Sequence, residues 1–306
     1  MKEIPKKNLI RFNKLNAAMK EPNILKKIKS YNFLPNLITS FQDYDNLYLV
    51  MNYFEGDNLY NFRNNNFSEE EIKFISACII QSFFYLRKNK IINRDVRMKN
   101  IIMDKERYLN LIDFSYAIQY SEKNLPRSHI VACRLETPPE MLNYSKYDYN
   151  SDYYRLGVII YYLIFKKFVN DVKKINNIKE IILDPKDIKN YTSLCIDFLN
   201  KLLITDYKKR IGFNNINELR NHLWFKGFDC SKLKKKKMKS PLKFMNRKNE
   251  YNYCHTFTID KLANIRFKNL LNKNYYKNLI NNYDFVNKKI ILNILNSFKQ
   301  KFKNIQ

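Results

Sequence analysis

Glycine is scarce in this chain of 306 residues, which contains four: Gly56, Gly157, Gly212 and Gly227. No two of them lie close enough in sequence to form a glycine-rich loop, in which backbone N–H groups approach a phosphate closely. The composition therefore excludes a P-loop and a dinucleotide-binding loop within these residues.

Cysteine and histidine are also few, and neither has the spacing of a metal or disulfide site. The five cysteines include no CxxC pair, and the three histidines lie far apart in sequence. Zinc sites and disulfide frameworks need short, paired spacings, so we expect neither. Unpaired cysteines are typical of a reducing compartment, which predicts an intracellular, cytoplasmic protein.

Long apolar runs are missing as well. The longest extends from Leu156 to Phe165, whereas a membrane-spanning helix needs about 20 apolar residues. The first twelve residues, MKEIPKKNLIRF, contain no apolar segment of signal-peptide length. We therefore predict no transmembrane segment.

Acidic residues are outnumbered, since 29 Asp and Glu face 56 Lys and Arg, for a formal charge of +27. Such an excess is typical of proteins that bind nucleic acids or anionic lipids. The basic residues are spread along the whole chain, however, so we do not expect nucleic-acid binding. The one dense patch, Lys232–Lys239, is interpreted as a solvated segment or as a weak contact with an acidic surface.

The first part of the chain has the pattern of a small strand-and-helix region. Apolar residues at helical spacing predict a helix over 18–29, with Pro22 in its first turn. The run Asn46–Tyr53 predicts a buried strand, and Asp43–Asp45 before it predicts the turn of a hairpin.

From Ser68 onward the pattern becomes mainly helical. Ser68 and Glu71 have the spacing of a capping box, and the apolar periodicity that follows predicts a helix through Leu86. Weak helical patterns also occur at 259–281 and 284–303.

Two short segments, NRDVRMKN and LIDFS, carry the side chains that phosphoryl transfer requires. The reaction needs a carboxylate that accepts the proton of the attacking hydroxyl, a cation near the transferred group, and oxygen ligands for Mg²⁺. The chain supplies these groups in that order: Asp95, Arg97, Asn100 and Asp113.

These segments resemble the catalytic loop HRDxKxxN and the DFG motif of the protein-kinase family. Downstream, the segments TPPE, SDYYRLG, KRIG and HLWF resemble the family's APE, DxWxLG, RxG and HPWF motifs in the same order. Upstream, EPNILKKI resembles its αC helix. The resemblance covers about residues 1–245 and is greatest to the AGC group of serine/threonine kinases.

The resemblance implies an α+β, bilobal protein-kinase-like fold. Residues 1–54 would form a truncated small N-lobe with the family's third strand, αC helix, and fourth and fifth strands. Residues 55–228 would form the larger, mainly helical C-lobe, and 229–306 a basic AGC-like tail rich in Lys, Asn and Tyr. The family's first two strands and glycine-rich loop would be absent.

The resemblance also implies the catalytic roles, with ATP and Mg²⁺ as cofactors. Asp95 would be the catalytic base, and Arg97 would offset charge on the γ-phosphate. Asn100 would complete the catalytic loop and bind Mg²⁺ together with Asp113. The implied ATP-binding residues are Lys2, Glu21, the gatekeeper Met51, the hinge residues Asn52 and Phe54, and Ile102 and Ile112 below the adenine.

Four further residues are implied to have structural roles: Arg94, Glu140, Asp152 and Arg210. Glu140 and Arg210 would form a buried ion pair. Ser128 is a candidate phosphorylation site, whose phosphate Arg94 would bind.

Several departures from the family pattern leave a second function open. Asn93 replaces the histidine of HRD, Ser115 replaces the glycine of DFG, and Cys133 occupies a position where threonine is usual. Lys2 has two interpretations, as the ATP-binding lysine or as a frayed terminal residue.

The leading hypothesis is a serine/threonine kinase that acts on a protein substrate. The alternative is a catalytically impaired pseudokinase that acts as a scaffold or as an allosteric partner of another kinase. A third hypothesis, a basic module that binds nucleic acids or membranes, depends on charge alone.

Overall fold

The computed structural model describes residues 1–11, 18, 20–121, 136–142, 148–169, 182–184 and 188–243, together with the backbone of a strand at 285–286. These residues form two compact units. One contains Met1–Ser30, Pro35–Tyr53 and the strand at 285–286, and the other contains Tyr31–Leu34 and the described residues from Phe54 onward.

Within the described residues, the first unit contains a four-stranded antiparallel sheet and two short helices. The strands, in the spatial order β1-β3-β2-β8, are β1 (Lys2–Pro5), β3 (Asn46–Met51), β2 (Leu37–Gln42) and β8 (Phe285–Val286). The helices are α1 (Lys6–Arg11) and α2 (Lys20–Lys27). Pro22 lies in the first turn of α2, where its missing N–H removes no helical hydrogen bond.

The predicted hairpin turn is present between β2 and β3. The Oδ1 atom of Asp43 accepts the N–H groups of Asp45 and Asn46, at 2.9 and 2.7 Å. Such side-chain acceptors stabilise a turn locally, which is why the turn is readable from sequence. Strand β3, which follows this turn, ends at Met51, two residues before the predicted end at Tyr53.

The weak helical pattern predicted over 284–303 is wrong at Phe285 and Val286. These two residues form β8, which pairs with Ser40 and Thr39 of β2. An edge strand offers unpaired backbone N–H and C=O groups, and these outweigh a weak helical periodicity. The rest of that pattern and the pattern at 259–281 lie outside the described residues.

The second unit is mainly helical within the residues described. Its helices are α3 (Glu69–Lys88), α4 (Pro139–Leu142), α5 (Asn150–Phe165), α6 (Ser193–Leu203), α7 (Asn217–Asn221) and α8 (Cys230–Lys234). Two small antiparallel pairs join β4 (Ile91–Ile92) to β7 (Ile118–Gln119) and β5 (Ile101–Met103) to β6 (Leu109–Leu111). Strand β4 ends just before the predicted catalytic segment and β5 begins just after it, so the two pairs hold the ends of that segment.

Helix α3 begins at the predicted capping box. The Ser68 hydroxyl accepts the N–H of Glu71 at 3.2 Å, and the Glu71 carboxylate accepts the N–H of Ser68 at 2.8 Å. These two bonds satisfy N–H groups that the first turn would otherwise leave unpaired. The helix is buried along most of its length and runs to Lys88, two residues beyond the predicted end.

Three of the four glycines, Gly56, Gly157 and Gly212, have neighbours that an added Cβ atom would meet at less than 3.0 Å. A Cβ atom at Gly56 would lie 1.7 Å from the carbonyl oxygen of Met103, and one at Gly157 would lie 2.9 Å from Cβ of Leu202. The second approach lets α5 and α6 pack closely.

Residues Tyr31–Leu34 belong to the second unit, although the sequence places them in the small lobe. Phe33 is fully buried, its carbonyl accepts the Ser82 hydroxyl at 3.1 Å, and Tyr31 donates to the carbonyl of Gln81 at 3.2 Å. Contacts with α3, together with the N–H of Leu111, which donates to the carbonyl of Phe33 at 3.1 Å, therefore hold this segment in the second unit.

None of the helices in the described ranges is both long enough and apolar enough to cross a lipid bilayer.

Candidate active site

The predicted catalytic segment is a loop in the second unit between β4 and β5. Asp95 is buried, and its Oδ2 atom accepts a hydrogen bond of 2.7 Å from Nδ2 of Asn100. The same Nδ2 donates to the carbonyl of Asp95 at 3.0 Å. Asn100 therefore fixes the orientation of the Asp95 carboxylate, while its own amide oxygen has no hydrogen-bond partner in the described part of the chain.

The second oxygen of this carboxylate, Oδ1 of Asp95, is buried and has no hydrogen-bond partner among the described residues. Buried carboxylate oxygens are normally hydrogen-bonded, so an unsatisfied one calls for an explanation. A substrate hydroxyl could satisfy this oxygen as a donor.

Asn93 connects Asp95 to Asp113. Its Oδ1 atom accepts the N–H of Asp95 at 3.0 Å, and its Nδ2 atom donates to the carbonyl of Asp113 at 3.0 Å. Both bonds use a fully buried side chain. An amide has one acceptor and one donor end, so Asn93 can serve both loops at once, where the family motif has histidine.

Two residues of the site have positive φ angles. Arg94 has φ of 67° and Asp113 has φ of 63°. A residue with a side chain adopts this left-handed region at a cost, and such strain is concentrated at functional sites. The N–H of Ser115 donates to Oδ1 of Asp113 at 3.0 Å, which supports the turn at this position.

Asp152, on helix α5, holds the backbone of the catalytic loop. Its two carboxylate oxygens accept the N–H groups of Asn93 and Arg94, at 2.8 and 2.9 Å. Burial raises the pKa of Asp152 to about 6, although these two bonds oppose the shift. The strained conformation at Arg94 is therefore stabilised by a buried acceptor.

Burial also raises the pKa of Asp95. The positive charges of Arg155 and Arg97 and the hydrogen bond from Asn100 oppose this rise. A proton acceptor works better when its pKa is closer to the working pH. The environment of Asp95 thus suits a general base.

Two buried charged residues that interact with the predicted site residues were missed by the sequence analysis. Nε of Arg97 lies 3.6 Å from the carboxylate of Glu136, which is buried. Arg155 is buried on α5, and its positive charge partly opposes the rise that burial causes in the pKa values of Asp95 and Asp152. The spacing of Asp152 and Arg155 on one helix face was a usable signal for Arg155, whereas no local signal links Glu136 to Arg97.

In the first unit, Lys2 and Glu21 form an ion pair. The Lys2 ammonium lies 2.9 and 2.8 Å from the two carboxylate oxygens of Glu21, on strand β1 and helix α2. Glu21 is buried, and Lys2 is about one third exposed. Because Lys2 also lies in β1, paired with Leu49, it is not a frayed terminal residue.

The implied adenine-binding residues of the first unit are at the end of β3. Met51 is the last residue of this strand. The N–H of Asn52 donates to the carbonyl of Asn36 at 3.2 Å, and the Asn52 side chain accepts the N–H of Asn36 at 2.6 Å. The backbone N–H of Asn52 is therefore already used, and among the described residues its carbonyl is the atom left for a ligand.

The implied adenine-binding residues of the second unit are on neighbouring strands and turns. Phe54 accepts the N–H of Gly56 through its carbonyl at 3.1 Å. Ile102 lies in β5, and Ile112 follows β6 and donates its N–H to the carbonyl of Asn100 at 2.8 Å. Both isoleucines are half-buried and leave part of their apolar surface accessible.

Glu140 and Arg210 form a bidentate, buried ion pair. Their N–O distances are 2.7 and 3.0 Å, and both side chains are almost fully buried. Arg210 also donates to the carbonyls of Asn150 and Ile204, and Ser151 donates to Glu140. The pair thus joins α4, the start of α5 and the segment after α6.

The other predicted residues of this region are partly outside the described ranges. Arg94 donates through Nε to the carbonyl of Tyr116 at 2.6 Å, so its side chain lies against the segment after Asp113. Ser128, the candidate phosphorylation site, and Cys133 lie outside the described residues.

The donor set at Asn100 and Asp113 fits Mg²⁺. Mg²⁺ is bound through one or two protein oxygens together with phosphate oxygens and water, and does not need an all-protein cage. The amide oxygen of Asn100 and the carboxylate of Asp113 are such oxygens, on half-buried side chains. Within the described ranges, no group of three or more His, Cys, Asp or Glu is placed so that it could hold a metal ion.

Comparisons with known proteins agree with this geometry. Residues 1–225 match the protein kinase domain family. The chain is 30% identical over 246 residues to the serine/threonine-protein kinase sgk-1 of Caenorhabditis elegans, a match that covers 79% of this chain and 53% of that protein. It is 29% identical over 248 residues to Sgk1 of Rattus norvegicus, covering 79% and 57%.

A third relative is the cAMP-dependent protein kinase catalytic subunit PRKX of Homo sapiens, 27% identical over 243 residues, covering 77% of this chain and 66% of that protein. The chain spans about half the length of the sgk-1 and Sgk1 relatives. None of these comparisons favours the pseudokinase alternative.

The chain belongs to the protein kinase domain family. Its relatives support the predicted resemblance to AGC-like serine/threonine kinases and the α+β fold of this family. The predicted fold class is therefore confirmed.

Proposed function

We propose that this chain is a serine/threonine protein kinase domain that transfers the γ-phosphate of ATP to a protein hydroxyl, with Mg²⁺ as cofactor. The observation that carries the proposal is the carboxylate of Asp95. One of its oxygens is held by Asn100, and the other is buried without a partner in the described part of the chain. A proton acceptor needs a fixed orientation and a free lone pair, and within the described residues this carboxylate has both.

Asp95 would orient the substrate hydroxyl through Oδ1 and accept its proton as the new O–P bond forms. Arg97 would place positive charge near the transferred group, with Glu136 limiting its movement. Asn100 and Asp113 would hold Mg²⁺, and this ion would neutralise part of the negative charge of the phosphates. The Asn93 bridge would keep the proton acceptor and the metal ligand at a constant separation.

Lys2 would bind the nucleotide phosphates, with Glu21 fixing its ammonium group. The bidentate geometry of this pair supports that role, since it holds a long, flexible side chain in one orientation. Met51, the carbonyl of Asn52, Phe54, Ile102 and Ile112 would bind the adenine. As part of the same proposal, the kinase acts in the cytoplasm, in line with the spacing of its cysteines.

The proposal is tested by measuring nucleotide binding and phosphoryl transfer separately. Binding is followed as the shift in Tm on adding ATP with Mg²⁺, because a ligand of the folded state raises Tm. Transfer is followed with γ-labelled ATP and a mixture of serine and threonine peptides. The parent chain should show both signals, and Asp113→Asn should lose the Mg²⁺-dependent shift.

The Asp95→Asn variant separates catalysis from binding. It should keep the shift in Tm but lose transfer by roughly 100-fold or more, because only the proton acceptor is removed. Asp45→Asn, which alters an exposed carboxylate of the β2–β3 turn, is the matched control and should leave both signals unchanged. Equal transfer by the parent and Asp95→Asn would refute the proposed role of Asp95.

A further inference from the structure

The basic run Lys232–Lys239 belongs to the second unit, and a lysine in the middle of the run binds to other residues of this unit. Lys236 forms an ion pair with the buried carboxylate of Asp104. Its ammonium group also lies 5.6 and 5.4 Å from the ring centres of Phe33 and Tyr108. A lysine held by a carboxylate and two aromatic rings anchors the run, while Lys232, Lys237 and Lys239 remain exposed to solvent.

The backbone on both sides of Lys236 is held as well. The Tyr108 hydroxyl donates to the carbonyl of Met238 and accepts its N–H at 2.9 Å. Leu233 and Leu242 are buried, and Arg107 donates to the carbonyl of Leu242 at 3.0 Å. Because the backbone is fixed, the exposed lysines of this run project from defined positions, and less conformational entropy is lost when a partner binds.

Three of these lysines line one groove of about 460 Å³, between the start of α3 and the segment from α8 to Pro241. They are Lys232, Lys237 and Lys239, and all are exposed. The accessible apolar part of the lining is formed by Phe228, Met238 and Pro241, while Phe74 lies fully buried beneath it. We call this feature the lysine groove.

The charges of the lysine groove favour an anionic occupant. Within the described residues, Lys237 and Lys239 make no ion pair, whereas Lys232 lies 3.5 Å from the carboxylate of Asp229. That carboxylate is also used by the backbone, because it accepts the N–H of Lys232 at 2.8 Å. Two ammonium groups are therefore left without a counter-charge beside an apolar surface.

The shape and the remaining charges distinguish between kinds of anion. The groove is concave, so a flat lipid bilayer would contact its rims and leave its apolar lining unused. The carboxylates of Glu70 and Asp229 also line it, so an occupant must keep its negative charges near the lysines and away from these two groups, which a compact ion cannot do. An extended peptide can place its acidic side chains near the lysines and an apolar side chain in the groove.

We propose that the lysine groove is a docking site for an acidic segment of a partner protein that carries an apolar side chain between its carboxylates. This site goes beyond the proposed phosphoryl transfer and does not depend on it, because no residue of the groove belongs to the candidate active site. Docking should therefore occur without nucleotide.

The experiment uses the full chain and a fluorescein-labelled heptapeptide that has a phenylalanine between two runs of three glutamates. Binding is measured by fluorescence anisotropy without ATP. We expect saturable binding that weakens as salt is added, because exposed charges are screened. A peptide with serine in place of the phenylalanine should bind about fivefold more weakly, because it buries less apolar surface.

The decisive variant is Lys237→Glu with Lys239→Glu. It should weaken peptide binding by about tenfold or more, since it places like charges against the glutamates. The matched control is Lys208→Glu with Lys209→Glu, which makes the same change in net charge at two exposed lysines of the second unit that do not line the groove. The control should change binding by less than about threefold, and the Tm of both variants should stay close to that of the parent.

Three results would overturn the proposal. Equal weakening by the two variants would mean that net charge, and not the groove, attracts the peptide. Equal binding of the phenylalanine and serine peptides would mean that the apolar lining is not used. The third result is that the parent binds phosphatidylserine vesicles but neither peptide, and that the double variant Lys237→Glu with Lys239→Glu no longer binds the vesicles. This result would identify a membrane surface as the occupant instead.

Discussion

Replacing Arg210 by methionine tests how much the buried ion pair with Glu140 stabilises the second unit. The side chain of Arg210 is 0% exposed and that of Glu140 is 3% exposed. The substitution removes both hydrogen bonds to Glu140 and those to the carbonyls of Asn150 and Ile204. Of the partners described, Glu140 keeps only the hydroxyl of Ser151.

The expected loss follows from the burial of the remaining charge. Removing one partner of a buried ion pair typically costs about 3–5 kcal/mol, because the other charge stays buried without compensation. A loss of 1 kcal/mol lowers the Tm of a domain of about 150–250 residues by roughly 2–4 °C. We therefore expect Arg210→Met to lower Tm by about 6–20 °C.

The measurement is thermal and urea unfolding of the parent and the variants at neutral pH. Arg220→Met is the matched control, because Arg220 is exposed and its described contact is with the ring of Phe84. It should cost about 1 kcal/mol or less. A cost for Arg210→Met as small as that of the control would refute the reasoning.

A double variant tests the cause of the loss. Arg210→Met combined with Glu140→Gln removes the uncompensated charge as well as its partner. It should be less destabilised than the sum of the two single variants. Additive effects would mean that the packing of the arginine chain, and not the charge of Glu140, determines the loss.

Three further predictions concern other parts of the chain. The pKa of Asp152, about 6 against an ordinary value of 3.8, means that the folded state binds its proton more tightly. The free energy of unfolding of the parent, relative to Asp152→Asn, should therefore fall by roughly 3 kcal/mol as pH rises from about 4 to 6. Urea titrations of both proteins measure this difference, and a difference that does not change with pH would contradict the prediction. Ser68→Ala should cost about 1 kcal/mol in the same assay because α3 loses its capping bond, whereas no change would mean that the cap is dispensable. Gly56→Ala should destabilise the protein by more than about 2 kcal/mol, because its Cβ meets the carbonyl of Met103. Gly227→Ala should cost only about 1 kcal/mol, because Gly227 has φ of 80° but open space around it. Equal costs for the two variants would refute the steric argument.

Several features of the fold were readable because their causes are local in sequence. The capping box of Ser68 and Glu71 and the turn at Asp43 depend on hydrogen bonds between residues two or three positions apart. The order of the segments NRDVRMKN and DFS likewise identified the four residues of the candidate active site before any geometry was known. Local patterns of this kind can be read from the sequence because the residues that form each hydrogen bond or motif are neighbours in the chain.

Other features depend on which distant residues share a buried space. The placement of Tyr31–Leu34 in the second unit depends on Ser82 and Gln81 of α3, about fifty positions away. The pairing of Phe285–Val286 with β2 overrode a weak helical pattern. The sequence carries no local record of such contacts, so they could not be predicted from periodicity or spacing.

The amino-acid sequence alone determined the family, the α+β fold class and the identity of the candidate catalytic residues, because ordered motifs and short-range hydrogen bonds are written in neighbouring positions. Only the tertiary structure decided that burial raises the pKa of Asp95, that Glu136 lies beside Arg97, and that Lys236 anchors the basic run. The physical reason is that desolvation and long-range ion pairing depend on which side chains exclude water together, and that is a property of the packed chain.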